Sequence, residues 1–446
     1  MTHFVRPLTL LVALFWLISP VSAQQSAAEY FDAGLAKSKT GDFTSALQAF
    51  NMAITMNPEN GPSYYNRGLV KANLKDHRGA ILDYDRAIEI NPKDQLAYLS
   101  RGISKSRQDD HRGALLDYSR AIEINPEDAQ AYYSRGTSRV RLGQDRLALT
   151  DFTRAIELDP ANAQYYYVRG MSRQHLGDYT GSLQDMNKVI DATPKRAPAF
   201  AGRGIARFEL QDYKGALDDF TKAVELNPQD GESFYYRAYT KARLNDFKGA
   251  IPDYDQAIQL HPLNYNAYYG RGFSRSRLGD QKGAVSDYNQ AIDLDNSNSP
   301  DRPLYSSRFT RAMLDNLRNS VQVNTRINPL STDRAEAFLG RGISRLKQGD
   351  EKGALADMNH SIELNPTNAD AYFNRAMLRS AQGDQRSAFN DFNNATKLNP
   401  RFGEAFYMRG LVRYSLGEDN AGCLDLSKAG ELGYTQAYKT ISEFCN

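Results

Sequence analysis

Arg67 and Asp83 stand 16 residues apart, and the same pair recurs at that separation nine more times. Examples are Arg101 with Asp117, Arg135 with Asp151, Arg203 with Asp219 and Arg375 with Asp391. Ten arginines in a row could bind phosphates. Ten arginines each matched to a carboxylate could instead clip two segments together, because the planar guanidinium meets a carboxylate through two parallel hydrogen bonds. Other chemistry is sparse. The six histidines are His3, His77, His111, His175, His261 and His360, and none forms a metal-spaced pair. No phosphate-cradling glycine loop, zinc motif or nucleophile elbow is present. The two cysteines are Cys423 and Cys445.

The spacing of these pairs comes from a larger period. Pro58, Pro92, Pro126, Pro160, Pro194, Pro228 and Pro262 lie 34 residues apart, and Pro366 and Pro400 resume that pitch. A fixed period of this length means a solenoid, in which contacts run between neighbouring repeats. With slot 1 at Ala27, repeats begin at residues 27, 61, 95, 129, 163, 197, 231 and 265, and again at 335, 369 and 403. Each copy reads as two amphipathic helices. Slots 4, 8 and 11 share one face of the first, as in Tyr64, Gly68 and Lys71. Glycine inside a helix costs about 1 kcal/mol against alanine, so its recurrence at slot 8 needs a packing reason. Close approach of Ala at slot 20 is the expected one. A Leu-Gly-Asp turn then lets Gly end the first helix in the left-handed conformation and Asp cap the second. Asp holds that capping slot in nine of eleven copies, the exceptions being Gln144 and Glu418. Asn-Pro ends the second helix.

An aromatic at slot 4, Gly or Ala at 8, Ala at 20, an aromatic at 24, Ala at 27 and Pro at 32 resemble the tetratricopeptide repeat. The resemblance covers residues 27–298 and 335–432. It implies an all-α, right-handed superhelical solenoid, with eight tandem repeats over 27–298 and three more over 335–434. Residues 299–334 read as a degenerate repeat or an insertion, since Phe309-Thr310-Arg311-Ala312-Met313-Leu314 echoes Phe373 to Leu378 but no glycine turn follows. Residues 435–446 are expected to form a capping helix, with Ala437, Ile441 and Phe444 covering the last repeat. Two slots depart from the family: slot 7 is Arg rather than Leu, and slot 11 is Lys or Arg rather than Tyr.

The first repeat carries Ala33 and Ala49 where later copies carry Arg and Asp. Joint loss is what direct pairing within a repeat would leave. The set is therefore read as an internal ladder of partly buried ion pairs, one Arg to one Asp. The other stripe of the first helix is apolar and aromatic. Tyr65, Tyr133, Tyr167, Tyr235, Tyr269, Phe373 and Tyr407 occupy slot 5, and Leu69 and Phe273 occupy slot 9. By resemblance to the family this stripe lines a concave groove for a peptide or partner helix; alternatively the rings pack between adjacent first helices. The Lys, Asn and Arg clamp with which chaperone-docking members grip a terminal carboxylate is not written here, since slot 5 is aromatic and slot 9 largely apolar.

Residues 1–23 read as a signal peptide: Arg6, an apolar run from Leu8 to Ile18, and a Val21-Ser22-Ala23 cleavage site. The run is too short to span a bilayer. Cleavage removes Arg6 from a chain of 55 basic and 53 acidic residues, so the expected net charge near +1 gives no field to gather nucleic acid. Cys423 and Cys445 are equidistant from the Gly433-Tyr434 turn and are expected to face each other as a disulfide, or to remain two buried thiols. Together these features predict an exported, periplasmic or secreted, non-catalytic interaction scaffold with a protein or peptide partner, no cofactor and no metal. A small-molecule or glycan-binding protein and a regulatory subunit of a separate enzyme are the alternatives.

Overall fold

The computed structural model describes residues 26–296 and 329–445. Among them are 23 α-helices and no strand, in two compact units divided between Ala192 and Thr193. The predicted signal peptide and most of the 299–334 segment lie outside the described residues.

The first unit contains five helix pairs: α1 (Ala27–Lys39) with α2 (Phe43–Met56), α3 (Gly61–Asn73) with α4 (His77–Ile90), α5 (Gln95–Arg107) with α6 (His111–Ile124), α7 (Ala129–Arg141) with α8 (Asp145–Leu158), and α9 (Ala163–His175) with α10 (Tyr179–Ala192). The second opens with α11 (Ala197–Glu209) and α12 (Tyr213–Leu226), α13 (Gly231–Arg243) and α14 (Phe247–Leu260), then α15 (Tyr265–Arg277) and α16 (Gln281–Asn296). It continues with α17 (Pro329–Lys347) and α18 (Glu351–Leu364), α19 (Ala369–Ala381) and α20 (Gln385–Leu398), α21 (Gly403–Ser415) and α22 (Asp419–Glu431), and ends in α23 (Gln436–Phe444). Within each unit, every pair packs on the next, as expected of a solenoid.

The two helices of a pair meet through alanines and one ring. In the second repeat Ala80, Tyr84 and Ala87 are fully or almost fully buried. The ring, not Ala80, explains the glycine at slot 8. A Cβ on Gly68 would lie 2.6 Å from Cε1 of Tyr84, so the first helix lies directly against the slot-24 ring. Slot 15 has positive φ in all eleven copies, seven of them glycine. Lys75, Asp109, Gln211 and Asn245 take the left-handed conformation without that freedom, because the helices on either side dictate the turn. The capping aspartates accept from the backbone three residues on, as Asp76 does from Gly79 at 2.8 Å, whereas Gln144 and Glu418 make no such bond.

The stack in the second unit continues directly from α16 to α17. The repeat beginning at 335 therefore packs on the repeat beginning at 265. Helix α17 starts at Pro329, six residues ahead of the repeat frame. At the far end, α23 occupies the place of a next first helix. Tyr407 shares a hydrogen bond of 3.2 Å with Thr440, and Ala437 is buried beside Leu426 and Ala429. Phe444 departs from its expected covering role: it is 45 % exposed and meets Tyr414 edge to face. Cys423 and Cys445 are bonded, with Cα atoms 5.7 Å apart.

Candidate interaction surface

The ladder residues are brought together in every repeat after the first. Arg67 donates through Nε to Asp83 Oδ2 at 2.9 Å and through Nη2 to Oδ1 at 2.6 Å. Arg101 makes the same two-pronged contact with Asp117, and Arg135 with Asp151, their Nη2 atoms lying 2.6 and 2.7 Å from the carboxylates. Arg203 meets Asp219 and Arg375 meets Asp391 in the same way, both at 2.7 Å.

The pairs are partly buried as expected, unevenly between the partners, but their stoichiometry departs from one-to-one. Asp83, Asp117, Asp151, Asp219 and Asp391 are almost completely buried, so none of them is offered to a partner; Asp83 retains 4 % of its side-chain exposure and Arg67 18 %. A buried carboxylate is costly unless its lone pairs are satisfied. One arginine would not satisfy them all.

The rest of the satisfaction comes from slot 11. Lys71 reaches Asp83 at 2.8 Å, Lys105 reaches Asp117 at 2.9 Å, and Arg139 reaches Asp151 at 2.7 Å. Arg207 and Arg379 do the same for Asp219 and Asp391, each at 2.8 Å. Slots 7 and 11 are four residues apart, so both cations rise from one helix face onto a single aspartate. The third guanidinium nitrogen of slot 7 points to the preceding repeat: Arg67 Nη1 donates to Asn51 at 2.7 Å and Arg101 Nη1 to Asp85 at 2.7 Å. The slot-4 ring lies alongside the same guanidinium, 5.4 Å from Arg67 in the case of Tyr64. The ring also packs on the cluster that includes Ala87 and Ile88 of the second helix. The ladder thus joins helices within a repeat and repeats to one another, and its charge is spent internally.

The aromatic stripe is less open than its sequence suggests. Tyr235, Phe373 and Tyr407 are buried. They pack on their own second helix and on the following repeat: Tyr235 lies 6.2 Å from Tyr254, Phe373 lies 4.8 Å from Phe402, and Tyr407 lies 4.9 Å from Tyr434. A long ring at slot 5 reaches past its own helix and is covered by the next layer. Tyr65, Tyr133, Tyr167 and Tyr269 are half-buried. Tyr65 and Tyr269 lie against Tyr84 and Tyr288 at 6.0 and 5.7 Å. Slot 9 is the more accessible position: Phe273 is 41 % exposed, Ile103 and Met377 are also exposed, and Leu69 is half-buried. Leu96 at slot 2 is exposed as well.

The described residues hold no cluster of metal-ligating groups. Burial pushes the phenols of the slot-24 tyrosines up, that of Tyr118 to about 12, which suits rings that serve as packing. Burial also raises two carboxylates, Glu232, with Asp230 adding to the rise, and Glu209. Burial without any hydrogen bond or ion pair pushes Glu209 up to about 7. No helix of the described residues is long and apolar enough to cross a membrane.

Tetratricopeptide repeat models match residues 30–60, 62–94, 133–197, 197–230, 235–299 and 358–389, together more than half of the chain. No curated protein sequence matches it. Among solved structures, the chain is similar to YrrB, described as a TPR protein with an unusual peptide-binding site, at 25% identity and TM-score 0.39, covering 42% of this chain and 96% of that one. It is also similar to a tetratricopeptide repeat protein from Parabacteroides merdae, at 18% identity and TM-score 0.44, covering 57% and 98%. PilF from Pseudomonas aeruginosa matches at 19% identity and TM-score 0.41, covering 50% and 99%.

Proposed function

The chain belongs to the tetratricopeptide repeat family, and on that premise we propose that it is a non-catalytic scaffold holding a protein or peptide along the first helices of its repeats. The observation that carries this reading is the exposure of apolar side chains at one recurring slot. Ile103 in the first unit, and Phe273 and Met377 in the second, keep 36 to 41 % of their surface in water. Other slot-9 side chains, such as Ile205 and Ile343, pack against the core, whereas these three stay exposed. Apolar side chains arrayed along a row of helices suit a partner that adds apolar anchors of its own. Half-buried slot-5 rings lie on first helices of each unit as well, Tyr65, Tyr133 and Tyr167 in the first and Tyr269 in the second.

The same reading places the protein in an oxidising compartment outside the cytoplasm. Its support is the predicted signal peptide at residues 1–23 and the Cys423–Cys445 disulfide, a bond that persists where thiols are not kept reduced.

The test is affinity capture from the cell envelope with residues 24–446 as bait, beside a bait in which Ile103, Phe273 and Met377 are changed to Ser. These side chains are exposed, so circular dichroism should show both baits equally helical. The proposal expects proteins recovered by the first bait to be lost from the second. Equal recovery would sink it.

A further inference from the structure

Seven arginines lie on α11, α13 and α15, and five of them, Arg203, Arg207, Arg237, Arg271 and Arg275, are bonded to the ladder aspartates. The two others, Arg243 and Arg277, have no carboxylate partner among the described residues. They occupy the same slot one repeat apart, and both are laid against an aromatic ring of the preceding repeat. Arg243 sits 5.4 Å from the Tyr213 ring centroid and donates through Nη2 to Tyr213 Oη at 3.1 Å. Arg277 sits 5.4 Å from the Phe247 centroid, and Phe247 in turn meets the exposed Phe273 at 5.9 Å. A guanidinium held over a ring keeps most of its rim of N–H donors free, and its orientation is already fixed. That is how an arginine is prepared to take a planar anion.

The same slot one repeat earlier holds Glu209. It is half-buried and makes no hydrogen bond or ion pair among the described residues. Its neighbour Tyr239 packs on Phe208 at 5.1 Å, so the carboxylate stands beside aromatic surface rather than beside a cation. Nearby carboxylates are otherwise engaged: Asp212, Asp246 and Asp280 cap their helices, accepting from the backbone of Gly215, Gly249 and Gly283 at 3.0, 2.8 and 2.9 Å. Glu232 lies at the opposite end of α13. At this one slot, successive first helices therefore present an unanswered acid and then two pre-oriented arginines without a carboxylate partner.

We propose that Glu209, Arg243 and Arg277 form a charge-coded docking strip for an extended peptide that carries one basic side chain followed by two acidic ones. Packed helices sit about 10 Å apart, and an extended chain advances about 3.3 Å per residue, so the matching charges fall roughly three residues apart. Phe273 provides an apolar contact beside the last of them. The inference rests on the reading of the protein as a peptide-binding scaffold, and it names the chemistry of the bound segment.

The probes are two fluorescein-labelled heptapeptides, Lys-Ser-Leu-Asp-Ser-Leu-Asp and its reverse sequence, which cover both chain directions. A charge-inverted heptapeptide, Asp-Ser-Leu-Lys-Ser-Leu-Lys, and a ten-nucleotide single-stranded DNA are the competitors. Binding to residues 24–446 is followed by anisotropy at low ionic strength. One of the two heptapeptides should bind at least about fivefold more tightly than the charge-inverted one, the scale set by two ion pairs. Arg277→Glu should abolish that preference, Arg277→Gln should weaken it, and Glu209→Gln should lower affinity for the preferred peptide without affecting the charge-inverted one. Binding of neither heptapeptide, equal binding of the charge-inverted peptide, or tighter binding of the DNA would each overturn the proposal. In those cases the envelope capture still decides the broader reading, because its bait alters Ile103, Phe273 and Met377 and leaves the three charges in place.

Discussion

Arg341 donates to Asn289 at 2.7 Å across 52 residues of sequence, whereas Arg67 makes the same bond to Asn51 across 16. Apart from the early start of α17, the ladder contacts of this layer match those of the others. Arg341 pairs with Asp357 through Nη2 at 2.6 Å, Arg345 joins it at 2.8 Å, and Gly340 faces the ring of Tyr288. The stacking register passes over the intervening chain as if it were absent.

Deleting residues 299–334 should therefore leave the second unit folded. The deletion removes the 36 residues by which this bond exceeds its usual span, and it joins Asn298 to Ala335 in the 34-residue frame. The expected change in stability is within about 1–2 kcal/mol, because lengthening a connection adds little closure entropy and the deletion takes only the first turns of α17 from the described fold. Chemical denaturation and helical content check this. Loss of the second unit's unfolding transition would show that the segment belongs to the fold.

The ladder predicts unequal costs for its two partners. Asp219 answers both Arg203 and Arg207, so Asp219→Ala strands two cations and should cost about 3–5 kcal/mol. Arg203→Ala leaves Asp219 with Arg207 still bound, and should cost about 1–3 kcal/mol. The double variant should cost less than the sum, since the residues share one network. Urea denaturation of the three variants is the measurement. Equal single costs of a few tenths that simply add would reduce the ladder to surface decoration.

The pairing of slot 7 with slot 23 is legible in the sequence because Ala33 and Ala49 lose both partners at once. The second cation is legible in principle: slots 7 and 11 are one helical turn apart, and both are basic in all ten later copies. What the sequence lacks is any sign that a single aspartate, such as Asp117 or Asp151, receives them both. The fate of Tyr235, Phe373 and Tyr407 is not legible, because burial at slot 5 depends on how far the next layer overlaps the ring. Neither is the left-handed turn at Lys75 or Gln211, where flanking helices impose a conformation the residue itself disfavours. Glu209 is invisible for a simpler reason. Cations abound in the repeat, and only the packed structure shows that none of them reaches this carboxylate.

The C-terminal cap should depend on its disulfide. Helix α23 has nine residues, too few to be stable alone, and its bond to α22 closes a 22-residue span. Such a crosslink contributes roughly 3 kcal/mol. Reduction, or Cys445→Ser, should speed amide hydrogen exchange in α23 and in the facing part of α21 around Tyr407. The first unit should be unaffected, because solenoid contacts are local. Unchanged protection of α23 after reduction would mean that Tyr407, Thr440 and Ala437 hold the cap unaided.

Glu209 should make stability fall with rising pH over a defined window. Its carboxyl is pushed from an ordinary value of 4.5 up to about 7 by burial. Between those values the folded state holds a proton that the unfolded chain has released, so protonation favours folding and the advantage is lost as pH rises to about 7. Above that the carboxylate is charged and unanswered. Glu209→Gln keeps the shape and removes the charge, so the variant should be more stable than the parent at pH 8, by on the order of 1–3 kcal/mol, and equal to it near pH 4.5. Parallel stability profiles for the two proteins from pH 4.5 to 8 would show that the carboxyl is not desolvated. A converging profile would mean that the folded protein keeps an acid it would be more stable without, as expected of a group whose counter-charge arrives on a ligand.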